Sequence, residues 1–314
     1  MATFTVVLTD LVFPDVELER SMLAELDAEL VIPGGDRAAV MAAAADADAI
    51  LNTYLAIGAE DIARLRRPRI IARYGIGVDN IDVAAARAAG IVVTNVPDYS
   101  VEEVATHTMA LLLAAHRRIL RGTVKAASGQ WSLDGLRPIE RFSGATVGII
   151  GLGRIGRLVA SYLVPFGPRI VGFDPYADAA VEGVERMTSL DDVLGAADVV
   201  TLHLPVTAET RGLMGRAQFQ RMRPGAILVN TSRGALVVTA DLAEAIREGR
   251  IAGAAVDVLE REGADIPALA GLPDVVITPH MAYYSESALR ESQRKAATQI
   301  MKVLRGEAPD YPVG

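Results

Sequence analysis

Short runs of branched apolar residues recur along the chain, separated by alanine-rich segments with helical spacing. One series falls at residues 5–8, 49–52, 70–72 and 91–94, with helical patterns over 18–30 and 83–89. A second falls at 146–150, 169–173, 199–204, 227–230, 254–257 and 275–278. Such runs lack the polar alternation of a half-exposed strand, so they suit parallel strands buried on both faces. Parallel strands joined through helices require right-handed crossovers, and each series therefore builds a doubly wound sheet. The expected fold class is α/β, with two doubly wound parallel-sheet domains and a cleft between them.

A length of 314 residues, half of them hydrophobic, supplies apolar material for two cores. The net charge of −8 argues against a nucleic-acid partner, which requires a concentrated basic face. The absence of cysteine removes disulfides, zinc–thiolate sites and thiol nucleophiles, and no metal site is expected. The longest apolar run, 109–115, is far shorter than the roughly 20 residues that span a bilayer. The opening M-A-T-F-T-V-V-L-T-D has no basic region and leads directly into a strand pattern. No membrane partner is expected, and the location consistent with these features is cytoplasmic.

Between the two series lies S-V-E-E-V-A-T-H-T-M-A-L-L-L-A-A-H-R-R, residues 100–118. Ser100 and Glu103 have capping-box spacing, so a helix should begin there. Its apolar positions encircle it, which fits either a central core helix or one that links two domains and meets a second subunit. The linking helix is drawn as 101–120. Another helical pattern begins near Ser285 and closes the chain. If it returns to the first domain, that domain comprises 1–100 and 286–314, and 101–285 is inserted into it.

The turn G-L-G-R-I-G, 151–156, follows the strand T-V-G-I-I and precedes a helical run. This is the setting of a dinucleotide fingerprint: Gly151 for the tight turn, Gly153 for close approach of a pyrophosphate, Gly156 for helix–strand packing. The helix N-terminus adds unpaired N–H groups and partial positive charge. The next strand ends at Asp174, eighteen residues after Gly156. A carboxylate there accepts the adenosine ribose hydroxyls and repels a 2′-phosphate. The P-Y-A-D that follows offers no arginine, so NAD(H) is expected in preference to NADP(H).

Three later strands end in groups with matched chemistry. N-T-S-R-G carries Arg233, A-A-V-D is followed by Glu262, and I-T-P-H carries His280. Singly, each has a plain structural role: a surface ion pair, a solvated acid, a strand-end histidine. Together on the rim where ligands bind in such sheets, they match the reduction of a 2-keto acid. His280 supplies the proton, Glu262 orients the imidazole, and Arg233 binds the carboxylate and the carbonyl oxygen.

At this point the chain resembles the D-isomer-specific 2-hydroxyacid dehydrogenases, in pattern nearest the subgroup that contains the C-terminal-binding protein corepressors. The resemblance rests on 74–82, 95–105, 151–156, 202–205, 230–234, 254–258 and 278–280, in family order over nearly the whole chain. It implies a flavodoxin-like substrate domain, a Rossmann NAD domain and a homodimer acting on a small 2-keto or 2-hydroxy acid. It also implies that Arg233, Glu262 and His280 are the catalytic set.

Carried over by position, Thr108 would be a cofactor contact, and Arg154 and Ile155 would lend backbone groups to the pyrophosphate. His203, Pro205 and Thr210 would line the adenosine side; Thr231, Ser232 and Asp257 would approach the nicotinamide half. His107 and His116 are read as ordinary helix positions. The turn Gly75-Ile76-Gly77 offers backbone N–H groups for a carboxylate, and Arg73 before it resembles a second carboxylate-facing arginine, or else forms an interface ion pair. Tyr283 occupies the place of an aromatic residue over the substrate side chain, where the corepressors have tryptophan. Gly263 replaces a usual proline after the acid, and Leu259 a commoner aromatic, which leaves the reaction type and obscures the side-chain preference. Two rivals keep the same scaffold: a corepressor-like NAD(H)-sensing dimer, and a dehydrogenase of an unusual anion such as phosphite or a phosphonate keto acid.

Overall fold

A computed structural model describes residues 3–177, 179–272 and 274–314. The chain forms two compact units, Met1–Ser100 with Tyr284–Gly314, and Val101–Tyr283.

The first unit is a five-stranded parallel sheet of β1 (Phe4–Leu8), β2 (Ala28–Val31), β3 (Ala49–Asn52), β4 (Ile70–Arg73) and β5 (Val92–Thr94). Their order is β2-β1-β3-β4-β5, so the chain reverses direction across the sheet between β1 and β3. Apolar residues such as Val7, Ile50, Ile71 and Val93 fill the core, as the uninterrupted runs require. At the reversal, the Asp10 carboxylate accepts the N–H groups of Thr53, Tyr54 and Leu55 and so ties the loop after β1 to the loop after β3. The expected helix over 18–30 is shorter: it spans Glu17–Ala24 and the chain then turns into β2. Asp27 makes that turn with φ 51°, a left-handed conformation in which a helix cannot continue.

The terminal helix Glu286–Leu304 packs in this same unit. Ser285 caps it by accepting from the Ala288 N–H. Gln293 reaches the carbonyl of Asp15 and the carboxylate of buried Glu19, which also accepts from the Tyr74 hydroxyl at 2.8 Å. Burial raises the Glu19 pKa, and these donors oppose that rise.

The second unit is a seven-stranded parallel sheet: β6 (Thr146–Ile150), β7 (Arg169–Phe173), β8 (Glu185–Arg186), β9 (Val199–Leu202), β10 (Ile227–Asn230), β11 (Gly253–Val256) and β12 (Val275–Ile277). The order β12-β11-β10-β9-β6-β7-β8 places the reversal between β6 and β9. Apolar clusters around Leu228 and Val256 on one side, and Val229 and Ala255 on the other, bury both faces. Two-residue β8 has no apolar run, and sequence periodicity does not reveal it.

The linking helix begins where expected but ends earlier. It spans Val101–His116, and Arg118, with φ 52°, breaks it from a second helix, Ile119–Ala127. Ser100 is fully buried with its hydroxyl unpartnered among the described residues, so it does not close the expected capping box. Among the described residues, no helix is long and apolar enough to cross a membrane.

Candidate active site

The turn after β6 stands at the sheet reversal, where crevices open in doubly wound folds. Gly151 has φ 95°, and a Cβ there would lie 2.3 Å from the His203 carbonyl at the end of β9. A Cβ at Gly156 would lie 2.1 Å from the Gly151 carbonyl. Glycine is therefore required at both by backbone packing alone. Gly153 is different: φ is −73° and nothing stands within 4 Å of its Cβ position. It caps the helix Arg154–Leu163 without a side-chain hydrogen bond, so Arg154 and Ile155 begin a helix whose first N–H groups lack a side-chain cap. An open cradle at a helix N-terminus fits a pyrophosphate.

The flanking groups also fit a dinucleotide. Asp174 begins the loop after β7; its Oδ2 accepts the Leu152 N–H at 2.8 Å and its Oδ1 the Tyr176 N–H at 2.9 Å. His203 follows β9 with Nε2 3.1 Å from the Thr201 hydroxyl, while Nδ1 is buried without a partner among the described residues. Burial pushes that imidazole down to about 3, so it is neutral and not an acid. Thr210 donates to the Pro205 carbonyl at 2.7 Å and shapes the loop after His203. The Thr108 and Thr231 hydroxyls meet at 2.7 Å, and Ser232 donates to the Leu202 carbonyl at 2.6 Å. The P-Y-A-D stretch itself offers no arginine, but one comes from farther along the chain. An arginine does approach Asp174: Arg186 of β8 directs Nη2 to its carbonyl at 3.4 Å. Sequence proximity concealed it, because β8 returns beside β7.

Beyond β10, Arg233 leads into a short turn of helix and its Nη1 donates to the Ser232 carbonyl at 2.8 Å. Beyond β12, His280 and Glu262 come together, with Nδ1 and Oε1 2.7 Å apart. Tyr283 meets the His280 ring edge-on at 6.0 Å between centroids. The backbone of His280 is left-handed, φ 52°, and its N–H donates to the carbonyls of Asp257 and Thr278.

Asp257, at the end of β11, is 2% exposed. Its carboxylate accepts the Thr278 hydroxyl at 2.5 Å and the N–H groups of Met281 and Ala282 at 2.9 Å. Burial alone raises its pKa; the neighbouring His107 and the donors Thr278, Met281 and Ala282 outweigh this and leave it below the ordinary carboxylate value. His107 and Thr278 thus belong to the site, although neither was singled out for it in the sequence. Among the described residues, no group of three or more His, Cys, Asp or Glu could hold a metal ion.

In the first unit, Arg73 closes β4 and donates through Nε to Asn80 at 3.0 Å. Its Nη1 lies 1.9 Å from where a Gly75 Cβ would be, so the guanidinium folds over the glycine backbone. Asn95 donates to the Ile76 carbonyl at 2.7 Å, and this bond steadies the turn through Gly77.

Residues 109–282 match the family model for the NAD binding domain of D-isomer specific 2-hydroxyacid dehydrogenases. D-3-phosphoglycerate dehydrogenase of Mycobacterium leprae is 39% identical over 278 residues, covering 87% of this chain and 52% of that protein. The chain thus spans about half the length of the curated relatives it matches. Among solved structures, D-lactate dehydrogenase from Aquifex aeolicus, complexed with NAD and lactic acid, superposes with a TM-score of 0.89 at 28% identity, covering 96% of each chain. An acyclic imino acid reductase in complex with NADPH and D-Arg gives 0.88 at 25% identity, covering 99% of this chain and all of that one. The strand–glycine turn–helix at the sheet reversal and the His–Glu pair beyond β12 lie on, or within, a chain that belongs to the D-isomer specific 2-hydroxyacid dehydrogenase family.

Proposed function

We propose that this chain is an NAD(H)-dependent D-2-hydroxyacid dehydrogenase that reduces small 2-keto acids or runs the reverse oxidation. The observation that carries the reading is the His280–Glu262 contact of 2.7 Å at the carboxyl end of the sheet that holds the glycine cradle. The nicotinamide cofactor supplies or accepts the hydride when bound. Gly151, Gly153 and Gly156, with the N–H groups of Arg154 and Ile155, hold its pyrophosphate, and Asp174 its adenosine ribose.

Chemistry at the substrate falls to side chains. Glu262 occupies Nδ1 of His280, so the transferable proton is the one on Nε2. It passes to the carbonyl oxygen during reduction and returns during oxidation. Arg233 neutralises the substrate carboxylate and the charge that develops on that oxygen. Arg73 and the Gly75–Gly77 turn contact substrate, a role supported by the guanidinium folded over Gly75. Tyr283, edge-on to His280, limits the substrate side chain.

NAD(H) is the preferred cofactor because Asp174 presents a carboxylate; Arg186 beside it is the feature that favours NADP(H) instead. A homodimer is supported by the apolar surface after the linking helix: Ile119, Val124, Leu133 and Trp131, the last 93% exposed. Light scattering should give twice the 33.2 kDa chain mass, and a single-chain mass would remove the dimer.

The functional reading is tested by NADH and NADPH oxidation with glyoxylate, hydroxypyruvate, pyruvate, 3-phosphohydroxypyruvate and a phosphonate keto acid, run for the wild type and His280→Ala. Substitution should leave NADH binding intact and lower kcat at least ~100-fold. Equal turnover in both proteins, or cofactor binding with no turnover of any substrate, would refute it.

A further inference from the structure

Asp257 anchors the segment that presents His280. Its buried carboxylate takes the N–H groups of Met281 and Ala282, the two residues that follow the histidine. The His280 N–H is fixed to the carbonyls at the ends of β11 and β12, at 2.8 Å to Asp257 and 3.0 Å to Thr278. These bonds hold His280 at φ 52°, where the β-carbon crowds the following carbonyl oxygen. A strained backbone persists only when its surroundings over-determine it.

The anchor itself has a support on another element. His107, in the middle of the helix Val101–His116, places Nε2 3.1 Å from the Thr278 hydroxyl and 3.6 Å from Asp257 Oδ1. The direction of each bond follows from donor counting. An ionised carboxylate only accepts, so the single Thr278 proton points to Asp257. The Thr278 oxygen is then an acceptor, and His107 must carry its proton on Nε2. A chain of donors runs from His107 through Thr278 to Asp257.

We propose that His107 is a positioning residue that acts through Thr278 and Asp257 to hold His280 in the left-handed backbone where its ring meets Glu262. The inference rests on the reading of His280 as proton donor for its catalytic consequence, but not for its structural one. Loss of the His107 donor leaves the Thr278 oxygen without its partner and weakens the grip of Asp257 on the two N–H groups. The imidazole of His280 then leaves its contact with Glu262.

The test is a long-range ¹H–¹⁵N spectrum of the histidine rings of the 314-residue chain, paired with steady-state kinetics. Four histidines keep the spectrum assignable. Wild-type His107 should show a protonated Nε2. His107→Leu and Thr278→Val should shift the His280 ring signals, whereas His107→Gln and Thr278→Ser, which retain a donor and a hydroxyl, should restore them. In the kinetics, His107→Leu should lower kcat about 100-fold, with KM for the keto acid changed less than about threefold, and His107→Gln should recover most of the loss. Unmoved His280 signals in Thr278→Val, an unprotonated His107 Nε2, or a Gln variant as impaired as the Leu variant would each overturn the proposal. If His107→Leu does not fold, the two Thr278 variants decide the matter. Shifted His280 signals with undiminished kcat would instead support the positioning and refute His280 as the proton donor.

Discussion

Two loops on the carboxyl side of the second sheet are built by opposite means. The turn after β6 is defined by missing side chains: a Cβ at Gly156 would strike the Gly151 carbonyl, and one at Gly151 the His203 carbonyl. The segment after β12 is defined by a side chain, the Asp257 carboxylate, with a hydroxyl and two N–H groups gathered on it. Steric exclusion is nearly all-or-none, because backbone cannot move aside. A buried ion with several donors is graded, since each donor contributes separately and the whole responds to pH. The two loops should therefore fail differently when perturbed.

The largest effect is expected at the glycine turn. Gly156→Ala puts a methyl 2.1 Å from a carbonyl oxygen, so β6 and the following helix must separate. A stability loss of about 3 kcal/mol is expected, with NADH binding lost as well. Gly153→Ala, with open space around it, should leave the unfolding temperature nearly unchanged yet weaken NADH at least ~10-fold by occupying the cradle. Thermal unfolding and NADH fluorescence on both variants separate the two. Equal destabilisation by both would mean that the turn is not held as described.

The carboxylate loop should respond less and with a pH signature. Asp257→Asn keeps the shape but presents an NH₂ group to at least one N–H or O–H donor, a mismatch of about 1–3 kcal/mol at neutral pH. The native pKa of Asp257 is lowered, so its contribution is complete above the unfolded value of about 3.9 and is lost as pH falls through the native value. Asparagine does not titrate. The stability gap between wild type and Asp257→Asn should thus narrow as the pH is taken from 7 to below roughly 4. Urea denaturation at the two extremes checks this, and a gap that widens in acid would contradict the burial and bonding of Asp257.

The same contrast explains what was legible in the sequence. A glycine demanded by sterics leaves no alternative residue, so 151 and 156 stand out from a single chain, with Gly153 marked by its spacing between them, and strand ends place Arg233, Asp257 and His280. His107 carries no such mark, because its partner Thr278 is 171 residues away. Arg186 was hidden likewise, since only the pairing of β8 with β7 brings it to Asp174. The helix drawn over 18–30 failed because the apolar spacing of β2 continues a helical period, and only Asp27 at φ 51° marks the stop. Local rules reveal what a segment can do alone; contacts made across the fold need the fold.

The smallest stability change is expected at Glu262, and it tests whether the His–Glu pair is part of the scaffold or only of the chemistry. The Glu262 side chain is 53% exposed and that of His280 31%, so water screens their attraction. An exposed pair of this kind contributes about 0–1 kcal/mol, and the backbone bonds to Asp257 and Thr278 fix His280 without it. Glu262→Gln should therefore shift the unfolding free energy by less than about 0.5 kcal/mol. Its effect on kcat should be far larger, about 10- to 100-fold, because glutamine does not stabilise a charged imidazole as a carboxylate does. A stability loss near that of Asp257→Asn, measured in the same urea series, would mean that Glu262 shares the anchoring role. A kcat close to wild type would mean that the orientation set from the Asp257 side suffices for proton transfer, and the division between the anchored backbone and the solvated pair would have to be redrawn.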